Sequence, residues 1–164
     1  MPEGFELIGG GTSCMVELPS LILEAPMFSD LTYREAETLA RHMQVYRAEK
    51  GVVIFREGEP SDYLFLLLSG RVDIAKTDQS AESKSFAAIG PGKILGEMSM
   101  VDGECRSATC SVLESATLAV LLHESFLLLV KTSPMLGYKI LLHIARQLSQ
   151  RLRHTSSLLV DYLP

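Results

Sequence analysis

Residues 92–112 read GKILGEMSMVDGECRSATCSV, and they are the most informative stretch of this 164-residue chain. A glycine and a carboxylate, Gly96 and Glu97, come before an arginine and a hydroxyl, Arg106 and Ser107. The apolar segment between the two pairs predicts one helical turn over 97–101, followed by a glycine-containing loop. KILG and RSATCSV, at the two ends of the stretch, predict short strands.

Similar short segments extend from residue 44 to residue 122, separated by turn residues such as Gly90-Pro91-Gly92 and Asp102-Gly103. The predicted strands are QVYRAE, VVIFRE, YLFLLLSG, RVDIAKT, SFAAIG, KILG, RSATCSV and ATLAVLL. Eight short strands at this spacing favour an antiparallel arrangement over alternating β-α units. We therefore predict a mainly β fold with flanking helices, an eight-stranded antiparallel β-roll or jelly roll (a cupin-like double-stranded β-helix).

Helical signals lie on both sides of the strands. Thr32 and Glu35 form a capping-box pattern that predicts a helix to about Met43. Residues 123–131 predict a short helix, and Pro134 begins a long C-terminal helix over 134–162. Residues 1–18, with three consecutive glycines, predict a flexible N-terminal arm, so the folded domain is expected over 19–164.

The long helix carries a seam at heptad spacing. One set of positions is spaced by seven residues: Leu141, Leu148, Thr155 and Tyr162. A second set fills the intervening positions: Ile144 or Ala145, then Leu152 and Leu159. Such a stripe suits a helix that packs on its own barrel or a parallel two-helix contact. Because the stripe is longer than a small barrel could cover, we favour a homodimer through this helix.

Composition narrows the possible functions. Hydrophobic residues make up 47% of the chain, charged residues 21%, and the net charge is −5, which is typical of a globular domain without a dominant nucleic-acid surface. Since no apolar run is long enough to span a bilayer and no signal peptide is visible, we expect a cytoplasmic protein without membrane contact. The three cysteines and four histidines match no metal pattern, so we expect no metal site, no cofactor and no catalysis.

The two residue pairs of the 92–112 stretch match the parts of a cyclic nucleotide. Arg106 offers a planar, permanently charged fork to a phosphate, and the Ser107 hydroxyl can donate to the same group. An ionised Glu97 only accepts hydrogen bonds, which suits a ribose 2′-hydroxyl, and Gly96 lets the backbone approach the sugar. The alternative is that Glu97 and Arg106 pair with each other across a loop and serve only the structure.

This stretch resembles the phosphate-binding cassette of the cyclic nucleotide-binding domain family. That family includes catabolite activator proteins, regulatory subunits of cAMP-dependent protein kinase and cyclic nucleotide-gated channels. The family pattern is roughly Phe-Gly-Glu-x-Ala-Leu, then a short loop, then Pro-Arg-Ser/Thr/Ala-Ala-Thr. In this chain, residues 95–100 read LGEMSM and residues 105–109 read CRSAT. Leu95, Ser99 and Cys105 depart from the pattern. Gly58 and Gly70 fall where the family keeps turn glycines, and the resemblance covers about residues 25–162.

The resemblance implies a role for each matching residue. Gly96 and Glu97 would hold the ribose. The cyclic phosphate would be held by Arg106 and Ser107, with backbone contributions from Met98, Ser99 and Ala108. The apolar wall around the base would consist of Ile74, Phe86, Leu95 and Cys110. The pair Thr155-Ser156 would reach the base at the dimer seam. Arg151 would lie near the pocket, and the alternative is that it is a solvated charge.

As a whole, the resemblance implies a non-catalytic sensor of cAMP, or in second place cGMP, that transmits binding through its C-terminal helix. Bacterial activators of the family continue into a DNA-binding domain, whereas this chain ends at Pro164, so we expect none here. The downstream protein partner is not specified by the sequence. The alternative function is a ligand-free β-roll that mediates protein–protein contacts and keeps Glu97 and Arg106 as a structural pair.

Overall fold

The computed structural model describes residues 4–10, 17–77 and 82–160, without the side chains of residues 10 and 158–160. The strands are β1 (Phe5–Gly10), β2 (Met43–Ala48), β3 (Val53–Phe55), β4 (Tyr63–Thr77), β5 (Ser83–Ile89), β6 (Ile94–Leu95) and β7 (Thr109–Leu122). The helices are α1 (Leu18–Glu24), α2 (Tyr33–Ala40), α3 (Glu97–Asp102), α4 (His123–Thr132) and α5 (Pro134–Val160), with a 3₁₀ turn at Pro26–Phe28. Within these residues, no helix is both long and apolar enough to cross a membrane.

The strands form one antiparallel sheet in the order β1-β2-β7-β4-β5, in which β3 also pairs with β7 and β6 with β4. A mainly β fold with flanking helices is therefore confirmed. The described part of the sheet has seven strands where eight were predicted. Two predicted pairs are continuous: YLFLLLSG and RVDIAKT form β4, and RSATCSV and ATLAVLL form β7.

Gly70 explains why β4 was predicted as two strands. It has a φ of 84°, but it lies within β4, at the register shift of the β4–β7 ladder between Ser69 and Arg71. A side chain at this position would collide with the backbone carbonyl of Ser115 on β7. Gly70 therefore marks a bulge that bends a continuous strand, and not a turn that ends it.

The predicted flexible arm contains a strand. β1 pairs antiparallel with β2, and the ring of Phe5 meets the ring of Tyr46 edge to face, with centroids 6.1 Å apart. This aromatic cross-strand contact fixes the segment to the sheet edge. Residues 1–3 and 11–16 of the predicted arm lie outside the described residues.

The β4 strand buries both of its faces. Phe65 and Leu67 belong to an apolar cluster between strands, whereas Leu64 and Leu66 belong to a second cluster beneath the helices. α5 contributes three side chains to this second cluster: Leu136, Ile140 and Ile144. The long helix therefore shares a buried cluster with the sheet that carries the candidate site.

Two polar contacts attach α5 to the segment around the start of α2. Lys139 Nζ lies 2.7 Å from Glu35 Oε1, and His143 Nε2 lies 2.8 Å from Asp30 Oδ1. Glu35 also completes the predicted capping box with Thr32. The helix that begins there ends at Ala40, earlier than predicted.

The predicted α5 seam divides between two faces. The seam prediction left open whether Ile144 or Ala145 belongs to it. Ile144 is buried in the core, whereas Ala145 faces outwards. Leu141 and Leu152 are 43% and 69% exposed. Tyr162 lies outside the described residues, as do the side chains of 158–160. Packing on the chain's own roll thus accounts for one face of α5 and leaves a second apolar face uncovered.

Candidate functional site

Local backbone geometry brings the predicted cassette together. β6 pairs with β4 and delivers the chain to Gly96, whose φ of 79° redirects it into α3; Gly103, with a φ of 74°, ends that helix. The loop that follows is held through the backbone of Arg106. Its N–H donates to the carbonyl of Glu59 at 2.9 Å, and its carbonyl accepts from the N–H of Gly58 at 2.8 Å.

The Arg106 side chain is folded inwards and is only 3% exposed. Its Nη1 donates to the Gly96 carbonyl at 3.1 Å and its Nη2 to the Tyr63 carbonyl at 2.8 Å. The guanidinium carbon lies 4.1 Å from the ring centroid of Phe55 and 4.5 Å from that of Tyr63. Burial lowers the pKa of Arg106, but an arginine remains charged at neutral pH. The structure therefore holds a cationic fork in a fixed orientation.

Gly96 is required by this arrangement. A Cβ atom there would collide with Nη1 of Arg106, and the left-handed φ is itself unfavourable for other residues. Sequence reasoning assigned Gly96 to the approach of a sugar. In the structure, its missing side chain first makes room for the guanidinium.

Glu97 is 1% exposed and is held by α5. Its Oε1 accepts from Arg151 Nη1 at 2.5 Å and from Gln147 Nε2 at 3.3 Å. Gln147 and Arg151 also donate to the Ile94 carbonyl, at 3.0 and 3.4 Å. Two side chains one turn apart on α5 thus clamp the end of β6 and the first residue of α3.

Glu97 and Arg106 do not pair with each other in the structure. Each is a described residue whose hydrogen bonds go to other partners. Both nevertheless line one cavity of about 60 Å³. The predicted residues on its wall are Ile74, Leu95, Gly96, Glu97, Met98, Arg106, Ser107, Ala108 and Arg151, and Phe55 is added to them.

The other predicted residues lie off this cavity. Ser99 and Cys110 are buried at 4% and 0% exposure, and burial raises the pKa of the Cys110 thiol to about 12, so it stays neutral and serves packing. Phe86 is 65% exposed because it falls at a register shift between β4 and β5, which turns its side chain to solvent. Thr155 and Ser156 are exposed on α5, beyond the part that contacts the roll.

Sequence reasoning missed Phe55, Tyr63 and Gln147. Gln147 could have been found, because it lies four residues before Arg151 and therefore on the same helix face. The aromatic pair around Arg106 left no such signal, since a ring in a strand usually indicates core packing. Among the described residues, no group of three or more His, Cys, Asp or Glu side chains could hold a metal ion.

Comparisons with known proteins match the chain to one family model and to curated relatives. The family model described as "Cyclic nucleotide-binding domain" matches residues 46–133, which is more than half of the chain. A cyclic AMP receptor protein of Thermus thermophilus is 29% identical over 126 residues, which cover 77% of this chain and 58% of that protein. A cyclic nucleotide-gated potassium channel of Mesorhizobium japonicum is 33% identical over 114 residues, 70% of this chain and 30% of the channel.

Solved structures show the same fold. A cyclic nucleotide-binding domain from Methylobacillus flagellatus aligns over 98% of this chain and 90% of its own, with a TM-score of 0.85 and 30% identity. The Thermus thermophilus catabolite activator protein aligns over 84% of this chain and 62% of its own, with a TM-score of 0.72 and 30% identity. The chain therefore spans little more than half of the first of these curated relatives and less than a third of the channel.

Proposed function

The chain belongs to the cyclic nucleotide-binding domain family, and from this premise we propose that it is a non-catalytic sensor that binds cAMP, in preference to cGMP, between Arg106 and Glu97. One observation carries the proposal most strongly. A buried cation and a buried carboxylate line the same cavity without neutralising each other. Because they do not pair with each other, the guanidinium can donate to an anion and the carboxylate can accept from a hydroxyl of the same ligand.

Arg106 is suited to the cyclic phosphate. A guanidinium has five N–H donors, and two of those of Arg106 are used by the carbonyls of Gly96 and Tyr63. The remaining donors can meet phosphate oxygens, together with the hydroxyl of Ser107 on the same wall. Since backbone carbonyls and aromatic rings already orient the fork, little side-chain entropy is lost when the ligand binds.

Glu97 is suited to the ribose. Both of its α5 donors bind Oε1, which leaves Oε2 for a sugar hydroxyl. A hydroxyl that donates to a buried carboxylate forms a charge-assisted hydrogen bond, which is stronger than a neutral one. Loss of this acceptor should therefore weaken nucleotide binding and leave the phosphate contact in place.

The cavity must widen when the nucleotide binds. About 60 Å³ is far below the roughly 300 Å³ at the small end of ordinary ligand pockets. The side chains able to move are those at the rim, because the Arg151 side chain is 43% exposed and Met98 is 41% exposed. We therefore place the transmission of binding at the Glu97–Arg151 contact. A ligand that displaces Arg151 removes one of the bonds between the cassette and α5, which shifts the equilibrium between two positions of that helix.

We also propose that two chains associate through α5. The uncovered face of the helix presents Tyr138, Leu141 and Leu152, which are 58%, 43% and 69% exposed. A second copy would cover these side chains and bring Thr155 and Ser156 towards the nucleotide site of its partner. Leu152→Asp places a charge in this contact, so it should convert a dimer to a monomer in sedimentation velocity experiments. A parent chain that sediments as a monomer would contradict the dimer.

Isothermal titration calorimetry with cAMP and cGMP tests the proposed function. We expect cAMP to bind more tightly than cGMP, and Glu97→Gln to weaken cAMP binding by about tenfold, which corresponds to about 1.4 kcal/mol. Glu114→Gln is a matched control, since Glu114 is exposed on β7 and forms only a 3.6 Å surface pair with Arg71. No heat with either nucleotide would instead support the ligand-free interaction module.

A further inference from the structure

A second cavity has Gln147 in its wall. It is a groove of about 370 Å³ between the Pro26–Asp30 segment, the loop at 92–93 and α5. Its volume falls within the range of small-molecule pockets. Gln147 belongs to the wall of this groove and also donates to Glu97. Glu97 in turn lines the nucleotide cavity, so the contact between these two side chains links the groove to that cavity.

The groove is basic, although the chain as a whole carries a net charge of −5. Lys93 comes from the loop before β6 and Arg146 from α5, and neither forms an ion pair with another described residue. Both are solvent-exposed, so a ligand from solution can reach them. The one acidic side chain on the wall, Asp30, already has a partner, because its Oδ1 lies 2.8 Å from Nε2 of His143.

These groups favour an oxyanion over other ligand classes. Arg146 offers a planar fork and Lys93 a compact charge, a combination that suits phosphate oxygens. Gln147 and Gln150 add amide groups to the same wall. The Ser29 hydroxyl does not count among the donors, because it already donates to the Pro26 carbonyl at 3.0 Å. Two free cations beside one partnered carboxylate leave a surplus of positive charge in the groove.

We propose that this groove is a second ligand site, for a small phosphate-bearing molecule, and that it is linked to the nucleotide site through Gln147. A phosphate held by Lys93 and Arg146 would compete for the Gln147 amide, which now donates to Glu97 and to the Ile94 carbonyl. Withdrawal of that amide removes one of the two donors on Oε1 of Glu97, so the carboxylate, whose Oε2 is already open, becomes a stronger acceptor for a sugar hydroxyl. Occupancy of the groove therefore tightens nucleotide binding, and by linkage the nucleotide tightens phosphate binding to the same degree.

Pyrophosphate is the probe for the site itself. In a calorimetric titration of the full chain at low ionic strength, we expect binding that the double variant Lys93→Gln, Arg146→Gln weakens by about tenfold or more. Arg153→Gln is the matched control, because Arg153 is exposed on α5 and is not part of the groove wall, so its affinity should equal that of the parent. Equal affinity of the double variant and the parent would overturn the site.

Amide chemical shifts locate the bound pyrophosphate independently of the variants. We expect the largest changes at residues 27–30, 92–93 and 143–150. Changes centred on residues 96–98 and 105–108 would show that the anion binds the cassette, and they would overturn the groove as a site. Neither experiment contains a cyclic nucleotide, so the outcome does not depend on the proposed function.

The linkage to Gln147 does rest on the proposed function. With saturating pyrophosphate, we expect the affinity of the parent chain for cAMP to rise by about threefold or more, and the double variant to show no change. An unchanged affinity in the parent would overturn the linkage while the groove remains a site. Absence of cAMP binding under every condition would instead overturn the proposed function.

Discussion

Replacement of Arg106 by alanine should destabilise the fold as well as weaken nucleotide binding. The guanidinium is 3% exposed and donates to the carbonyls of Gly96 and Tyr63. A hydrogen bond from a charged donor contributes about 1.5–3 kcal/mol, and a stacked cation adds about 0.5–2 kcal/mol. Because the variant no longer has to desolvate a guanidinium, part of this sum is offset. We expect the free energy of unfolding to fall by about 2–4 kcal/mol.

Urea unfolding without nucleotide, followed by far-ultraviolet circular dichroism, measures this loss. Arg106→Lys keeps the charge but lacks the fork that reaches two carbonyls at once, so its stability should lie between those of the parent and Arg106→Ala. Arg153→Ala, on the exposed face of α5, should match the parent. An unfolding free energy of Arg106→Ala within about 0.5 kcal/mol of the parent would refute the structural role of the guanidinium.

Three further predictions concern stability. A double-mutant cycle of Glu97→Gln and Arg151→Ala can be measured by urea unfolding without nucleotide. It should give a coupling free energy of about 1–2 kcal/mol, since the Glu97 side chain is buried and that of Arg151 is 43% exposed. Purely additive losses of stability would contradict the contact. Gly96→Ala should lower the free energy of unfolding by about 2–4 kcal/mol, and Gly103→Ala by about 1–2 kcal/mol. Gly103 shares the left-handed φ, but a Cβ added there would meet open space. Equal losses in urea unfolding would show that the Arg106 guanidinium tolerates the methyl group. The hydrogen bond from Lys139 of α5 lowers the pKa of Glu35. The ionised Glu35 carboxylate therefore adds to the free energy of unfolding above pH 4.5, and this contribution is lost as the pH falls through the lowered pKa. Glu35→Gln should therefore be less stable than the parent near neutral pH, and the difference should shrink in acid unfolding curves; a pH-independent difference would exclude this carboxylate as its source.

Several features of the fold could be predicted from local sequence. The capping box at Thr32, the short helix after Gly96 and the Pro134 start of α5 each depend on residues close together in the chain. Strand continuity was harder to predict, because a glycine with positive φ occurs both in turns and in bulges. Only the β7 backbone opposite Gly70 distinguishes the two.

The candidate site shows the same division. Side-chain chemistry in the cassette identified the cationic fork and the carboxylate. The family resemblance added further residues, and nine of all those predicted line the cavity. The residues around the base were less predictable. Phe86 was chosen for its apolar ring, but a register shift of one residue, which depends on the partner strand, decides whether that ring faces the cavity or the solvent.

By itself, the sequence determined the chemical groups of the cassette and the strand-rich character of the chain, since both are written in neighbouring residues. Only the tertiary structure decided what those groups contact before any ligand arrives. Arg106 reaches a carbonyl 43 residues away, and Glu97 is held by an arginine 54 residues away. Contacts at such separations arise from the way β4 bends and α5 packs, and no local pattern encodes them.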